Sequence, residues 1–184
     1  MTSLRRPIRS AAGFGTCATF VVLLSGCGTG GADTSTTAAV SLDPCVHFTD
    51  AMTAADYPGP TNRYAMNVSW PELSCEFQHR EPGYAAGISV VSAQYGDVLA
   101  HGKLVEREHL AVAGRDVSVA NSAAATPMCV VTIDVEPGAL QINVPYLPQL
   151  AGTHPDEVTT IDQACTEARK ILDIITPVLP DRLD

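Results

Sequence analysis

The residues whose types and spacing could do chemistry in this chain are its six cysteines: Cys17, Cys27, Cys45, Cys75, Cys129 and Cys165. A thiol can be acylated, oxidised to a disulfide or bound to a metal, and its surroundings decide which. Cys27 follows Leu24-Ser25-Gly26 at the end of an apolar run, where small neighbours leave the sulfur open to modification. Cys45, Cys75, Cys129 and Cys165 lie far apart, and no two have the Cys-x-x-Cys spacing of a zinc site.

Other chemistry is sparse. The chain has no Gly-x-Ser-x-Gly elbow, no His-Glu-x-x-His and no phosphate-binding loop. Gly26-x-Gly28-x-Gly30-Gly31 has glycines enough for such a loop, but neither a strand before it nor a helix after it. The histidines, His79, His101 and His109 among them, are scattered. Glu106-Arg107-Glu108-His109 reads as solvated charge at a helix end and not as a metal site. Asp134 and Glu136 share a face with Thr132 and could form an acid/base pair, although strand alternation already accounts for them as the wet side of a sheet. Tyr64 and Trp70-Pro71 could line a pocket, yet a chain with few aromatics needs them for packing. No catalytic residue, metal ligand or cofactor is assigned, so the chain is expected to bind and not to catalyse.

Arg5, Arg6 and Arg9 make a positive start, and residues 11–24 an apolar run shorter than the roughly 20 residues of a spanning helix. With this run before it, Leu24-Ser25-Gly26-Cys27 resembles the lipobox of bacterial lipoproteins. The resemblance implies that residues 1–26 are a signal peptide cut before Cys27, which becomes the mature N-terminus and whose thiol takes a diacylglyceryl group with palmitate-like chains. Each buried methylene contributes about 0.8 kcal/mol, so two or three chains hold a protein to a membrane without a spanning helix. Arg5-Arg6 lacks the rest of a twin-arginine motif, so ordinary secretion is expected. The expected location is the cell membrane, lipid-anchored on its extracytoplasmic face.

Residues 27–41 read as the acylated cysteine and a tether rich in Gly, Ser, Thr and Ala. About 14 such residues span on the order of 20 Å as a random coil. Eight of the eleven basic residues and all twenty acidic ones follow Cys27, so the mature chain carries a net charge of −12. Nucleic acid is excluded as a partner, because no basic patch is present to meet its phosphates.

Residues 42–184 have the length of one domain, and their patterns predict an α+β fold: an antiparallel sheet packed by N-terminal and C-terminal helices. A helix is expected over 43–57, then strands over 66–70, 73–79 and 87–95, with a turn at Pro82-Gly83. A helix is expected over 97–109 despite Gly102. A strand over 112–120 follows the Ala113-Gly114 turn, and 128–135 with 140–144 forms a hairpin with one buried face, turned at Pro137-Gly138. Val158, Ile161, Cys165, Ala168, Leu172 and Ile175 recur at spacings of three and four, one stripe of a helix that stops near Pro177, with Thr160-x-x-Gln163 as a capping box.

Export puts the four later thiols in an oxidising compartment. Three pairings are possible. Cys45 with Cys75 and Cys129 with Cys165 is preferred because each bond would join a helix to a strand, while the chain-entropy gain of about 3.5 to 5 kcal/mol does not choose among them.

The chain resembles the actinobacterial lipoproteins, abundant in mycobacteria, that carry a four-cysteine domain of unknown function. The residues that carry the likeness are Ser41-Leu42-Asp43-Pro44-Cys45, Cys75-Glu76-Phe77, Val112-Ala113-Gly114-Arg115, Cys129-Val130-Val131, and Cys165-x-x-Ala168 with Leu179-Pro180. The resemblance implies a small α+β sandwich on the cell envelope and a binding or accessory role, with no catalytic residue to carry over. The expected partner is an envelope lipid, peptide or protein. A structural or signalling protein acting on another membrane protein is the alternative, and a hydrolase the third. Replacing the acylated cysteine tests the address: Cys27→Ala is expected to release the protein to the medium or leave an uncleaved precursor. A processed N-terminus with unchanged detergent partitioning would contradict it.

Overall fold

The computed structural model describes residues 40–67, 70–101, 104–122, 126–154 and 156–184, so residues 24–27 of the lipobox lie outside the described residues. Two short helices open the fold, α1 (Pro44–His47) and α2 (Thr49–Ala54). Asp43 caps α1 by accepting a hydrogen bond from the Cys45 amide, and Pro44 occupies its first turn, where no amide is needed. The expected single helix over 43–57 is broken at Phe48, whose backbone closes α1 while its ring is fully buried.

Seven strands follow in one antiparallel sheet of order β1-β2-β3-β7-β6-β5-β4. They are β1 (Asn62–Asn67), β2 (Pro71–His79), β3 (Tyr84–Val91), β4 (Leu104–Val112), β5 (Arg115–Ser122), β6 (Met128–Val135) and β7 (Gly138–Pro145). Helix α3 (Tyr95–His101) connects β3 to β4, and α4 (Ile161–Ile175) follows β7. The predicted fold class is the observed one: an antiparallel sheet with N- and C-terminal helices and two disulfides.

Strand registry builds the core. Cys75, Ile88, Ile142, Val131 and Val119 stand opposite one another across five strands, and Leu73, Val90, Leu140, Ile133 and Val117 form the next row. All but Leu73 are wholly buried. Against this face α4 lays Ala164, Cys165, Ala168, Ile171, Leu172 and Ile175, packing chiefly on β6 and β7. Thr160 and Gln163 close the predicted capping box at its start. The preferred disulfides are both present: Cys45–Cys75 ties α1 to β2, and Cys129–Cys165 ties β6 to α4.

The sequence expectation fails in one element and slips in others. The helix expected over 97–109 is α3 followed by the edge strand β4. Glu106, Arg107, Glu108 and His109 are all exposed on that strand, where a bulge between Glu106 and Glu108 breaks alternation. Charges on both sides of an edge strand block further pairing but erase the period of two that would have revealed it. Strand β1 lies earlier than expected, and β3 begins at Tyr84 and ends at Val91. The Ala113-Gly114 turn is as predicted, with both residues at positive φ (51° and 78°), the geometry of a two-residue hairpin turn.

The β6-β7 hairpin also has more than one buried face. Across the other side of the sheet run Ser74, Ser89, Gln141, Thr132 and Ser118, one per strand. The four hydroxyl residues are 1% exposed, and Ser74 bonds Ser89 at 2.7 Å while Gln141 donates to Thr132 at 3.2 Å. Helix α3 packs on this face over β6 and β7, with Val98 joining Val91, Ala93 and Ala139 in a small apolar cluster. Hydrogen-bonded hydroxyls satisfy one another and can be buried, which alternation of polar with apolar residues does not reveal.

Since the bond between β6 and α4 closes a long loop and fixes the helix on the core, removing it should cost about 2 to 5 kcal/mol. Urea unfolding of the Cys129→Ala/Cys165→Ala double variant checks this. An unchanged midpoint would show that packing alone holds α4.

Candidate functional site

At the end of the sheet where β2 turns into β3, the Arg80–Gly83 turn meets the segment before α4. The Gly83 amide donates to the Asp156 carbonyl at 2.6 Å, and Leu147 donates to the Val158 carbonyl at 2.9 Å. A Cβ on Gly83 would stand 3.1 Å from Glu157 Oε1, so a larger residue here would displace that carboxylate. On the α4 side of the turn lies a cleft of about 330 Å³, lined by Pro82, Glu157, Val158, Asp162, Gln163, Thr166 and Glu167. On the α2 side a second cleft of about 600 Å³ is lined by Thr53, Asp56, Tyr57, Pro58, His79, Arg80 and Glu81.

A buried polar chain joins the two. Tyr57 arrives because Asp56 takes a positive φ of 64° after α2, and its amide bonds back to the Met52 carbonyl. Its hydroxyl lies 2.5 Å from that of Tyr84, and the Tyr84 hydroxyl donates to Glu167 Oε2 at 3.2 Å. Tyr57 thus donates to Tyr84, which donates onward. Lys170 Nζ reaches Glu167 Oε1 at 2.7 Å from one turn along α4, so each oxygen of this nearly buried carboxylate, 6% exposed, has a partner. His79 stacks on Tyr84 with ring centroids 5.0 Å apart, and its Nδ1 donates to the Pro82 carbonyl at 2.9 Å.

Burial pushes the Tyr84 hydroxyl well up from its ordinary value of 10.0, and the bond with Tyr57 and the Glu167 charge push the same way. Burial also raises Tyr57, against its bond to Tyr84. Both phenols therefore stay protonated at neutral pH and serve as donors, not as nucleophiles. In the first cleft the charges are unevenly met. Arg107 holds Asp162 at 2.6 Å and Lys170 holds Glu167, whereas no described residue gives the Glu157 carboxylate a hydrogen-bonding or charged partner. At the start of α4 the Thr160 side chain already accepts from the Gln163 amide, and the Gln163 side chain accepts from the Thr159 and Thr160 amides. The cleft suits a cationic group carrying N–H donors.

The residues singled out from sequence do not converge here, except His79. Asp134 is half-buried on β6, while Glu136 lies past the strand, exposed and 3.3 Å from Arg182, so they form no pair. His101 is exposed and edge-on to half-buried Trp70, which packs on the small apolar cluster. His109 is exposed, 3.7 Å from Asp116. Tyr64 lines a separate cleft of about 270 Å³ with Arg63 and Leu73, and Trp70 is not part of that lining. Among the described residues no group of three or more His, Cys, Asp or Glu side chains is placed to hold a metal. Sequence reasoning missed Tyr57, Tyr84, Glu157 and Glu167. A signal existed for one of them: Glu167 stands between Cys165 and Ala168, in the apolar stripe itself.

Removing the middle of the chain leaves a buried carboxylate short of a donor, so Tyr84→Phe should destabilise the fold by about 1 to 3 kcal/mol. The raised pKa adds a pH signature. Its stabilising contribution is complete below pH 10, the unfolded value, and is lost as pH rises from there through the higher folded value. Thermal melts from pH 7 to 11.5 should fall above pH 10, less steeply in Tyr84→Phe; parallel curves would contradict this.

Comparison with family models, with curated proteins and with solved structures returns no match.

Proposed function

We propose that this chain is a lipoprotein of the actinobacterial four-cysteine kind, anchored through Cys27 on the extracytoplasmic face of the cell membrane, whose folded region binds a partner without catalysis. The cleft beside Pro82 is its binding site, and the partner is a peptide or protein segment bearing an amine. The observation that supports this most is the Glu157 carboxylate, half-buried in the cleft wall and without a partner among the described residues. A carboxylate held partly out of water gains most from an arriving ammonium group, since a hydrogen-bonded charge pair is worth more there than on an open surface.

The net charge of −12 after Cys27 favours the encounter at long range and keeps the unoccupied protein soluble. Anchoring confines protein and partner to one thin layer, so modest affinity is enough. Tyr57, Tyr84 and Glu167 act from behind the cleft. Their hydrogen bonds fix the start of β3 against α4, and with it the wall on which Glu157 stands.

Calorimetric titration of the full-length protein in detergent with tetralysine tests the reading. Binding is expected to weaken with added salt and to fall about tenfold, or 1.4 kcal/mol, in Glu157→Gln. Equal binding of fully acetylated tetralysine, or no effect of Glu157→Gln, would contradict it.

A further inference from the structure

The wall of the cleft beside Pro82 mostly satisfies its own hydrogen bonds. Tyr84 and Lys170 meet the two oxygens of Glu167, Arg107 holds Asp162 at 2.6 Å, and the Thr166 hydroxyl donates to the Asp162 carbonyl at 2.8 Å. Two groups in the lining are left without partners, and they are opposite in kind. The Glu157 carboxylate can only accept, and no described residue donates to it. The side-chain NH2 group of Gln163 can only donate. Its neighbour Oε1 accepts from the Thr159 and Thr160 amides, each at 3.0 Å, and since a backbone amide cannot accept, the oxygen must lie on that side. The NH2 group therefore faces away from those amides, and no described residue accepts from it. Glu157 stands two residues before Thr159, so the acceptor and the donor border the same small opening of about 330 Å³.

We infer that Glu157 and Gln163 together read the free N-terminus of a peptide, and not a lysine side chain. This rests on the amine-binding reading of the cleft given above and narrows it to one class of amine. An N-terminal ammonium is separated from a carbonyl carbon by a single Cα, so an acceptor always accompanies the charge at short range. Glu157 takes the ammonium, and the Gln163 NH2 group donates to the carbonyl oxygen of the same peptide residue. A lysine ammonium ends a flexible four-carbon stem and brings no acceptor with it, so Gln163 adds nothing to its binding. Pro82 and Val158 supply the apolar lining, which suits a short aliphatic side chain on the first residue. The capping box has a second use in this arrangement. By holding Oε1 of Gln163 on the Thr159 and Thr160 amides, it fixes which way the donor faces before any ligand arrives.

The test is calorimetric titration of the full-length protein in detergent at neutral pH with three probes. Trialanine amide has only an N-terminal amine, acetyl-alanyl-lysyl-alanine amide has only a side-chain amine, and acetyl-trialanine amide has neither. The first is expected to bind about fivefold more tightly than the second, the worth of one hydrogen bond, and the third not to bind. Gln163→Glu keeps an acceptor for the Thr159 and Thr160 amides but removes the donor, and near-ultraviolet circular dichroism checks its fold. Its added charge draws both amines alike, so the readout is the ratio of the two affinities, which should fall to about one. The wild-type comparison decides by itself if that variant does not fold. Equal or tighter binding of the lysyl probe to the wild type, or an unchanged ratio in folded Gln163→Glu, would overturn the N-terminal reading while leaving the amine site in place. Binding of neither amine probe, or equal binding of acetyl-trialanine amide, would overturn both readings together.

Discussion

The stripe of Ala164, Cys165, Ala168, Ile171, Leu172 and Ile175 on α4 can leave water only by lying on the inner face of the sheet, and the Cys129–Cys165 bond fixes it there. Most of the remaining structure follows from that contact. The facing rows on β6 and β7 set the register of the central hairpin, because a slip of one residue would turn every apolar side chain to the wrong face. Cys45–Cys75 repeats the device on the other half of the sheet, where α1 and α2 bring Phe48 and Met52 into the same core. Two covalent links between a thin helical layer and one sheet suit a fold of this size, whose surface is large for its core.

The clefts are consequences of the same arrangement. Helix α4 starts at the end of the sheet where β2 and β3 turn, and Glu167 lies on its buried side within reach of Tyr84. A carboxylate in that position is tolerated because Tyr84 and Lys170 meet its two oxygens. The price of that burial is a rigid polar joint, and the joint places the wall that carries Glu157. Position within the fold separates the two acids: one is enclosed and satisfied, the other partly open and unmatched.

What could be read beforehand follows from how each element earns its period. Helix α4, its capping box, the β6-β7 hairpin and the Ala113-Gly114 turn were legible because a single buried face or a single turn geometry dictates their residues. Strand β4 was not, since an edge strand armed with Glu106, Arg107, Glu108 and His109 resembles a solvated helix end when read locally. Thr132 was misread as part of a wet face for a related reason: the buried row it forms with Ser74, Ser89 and Ser118 is made of hydroxyls, which look like a wet surface in one dimension. The site was less legible still. Tyr57, Tyr84 and Glu167 are separated by 27 and 83 residues along the chain, and only the sheet register and the α4 contact make them neighbours.

The account depends above all on two covalent links that join the helical layer to the sheet in a defined pairing. Mass spectrometry of peptides from the folded protein, cleaved without reduction and with free thiols blocked, addresses this directly. The account predicts one linked pair containing Cys45 and Cys75 and another containing Cys129 and Cys165. A link from Cys45 to either Cys129 or Cys165, or four blocked thiols, would contradict it.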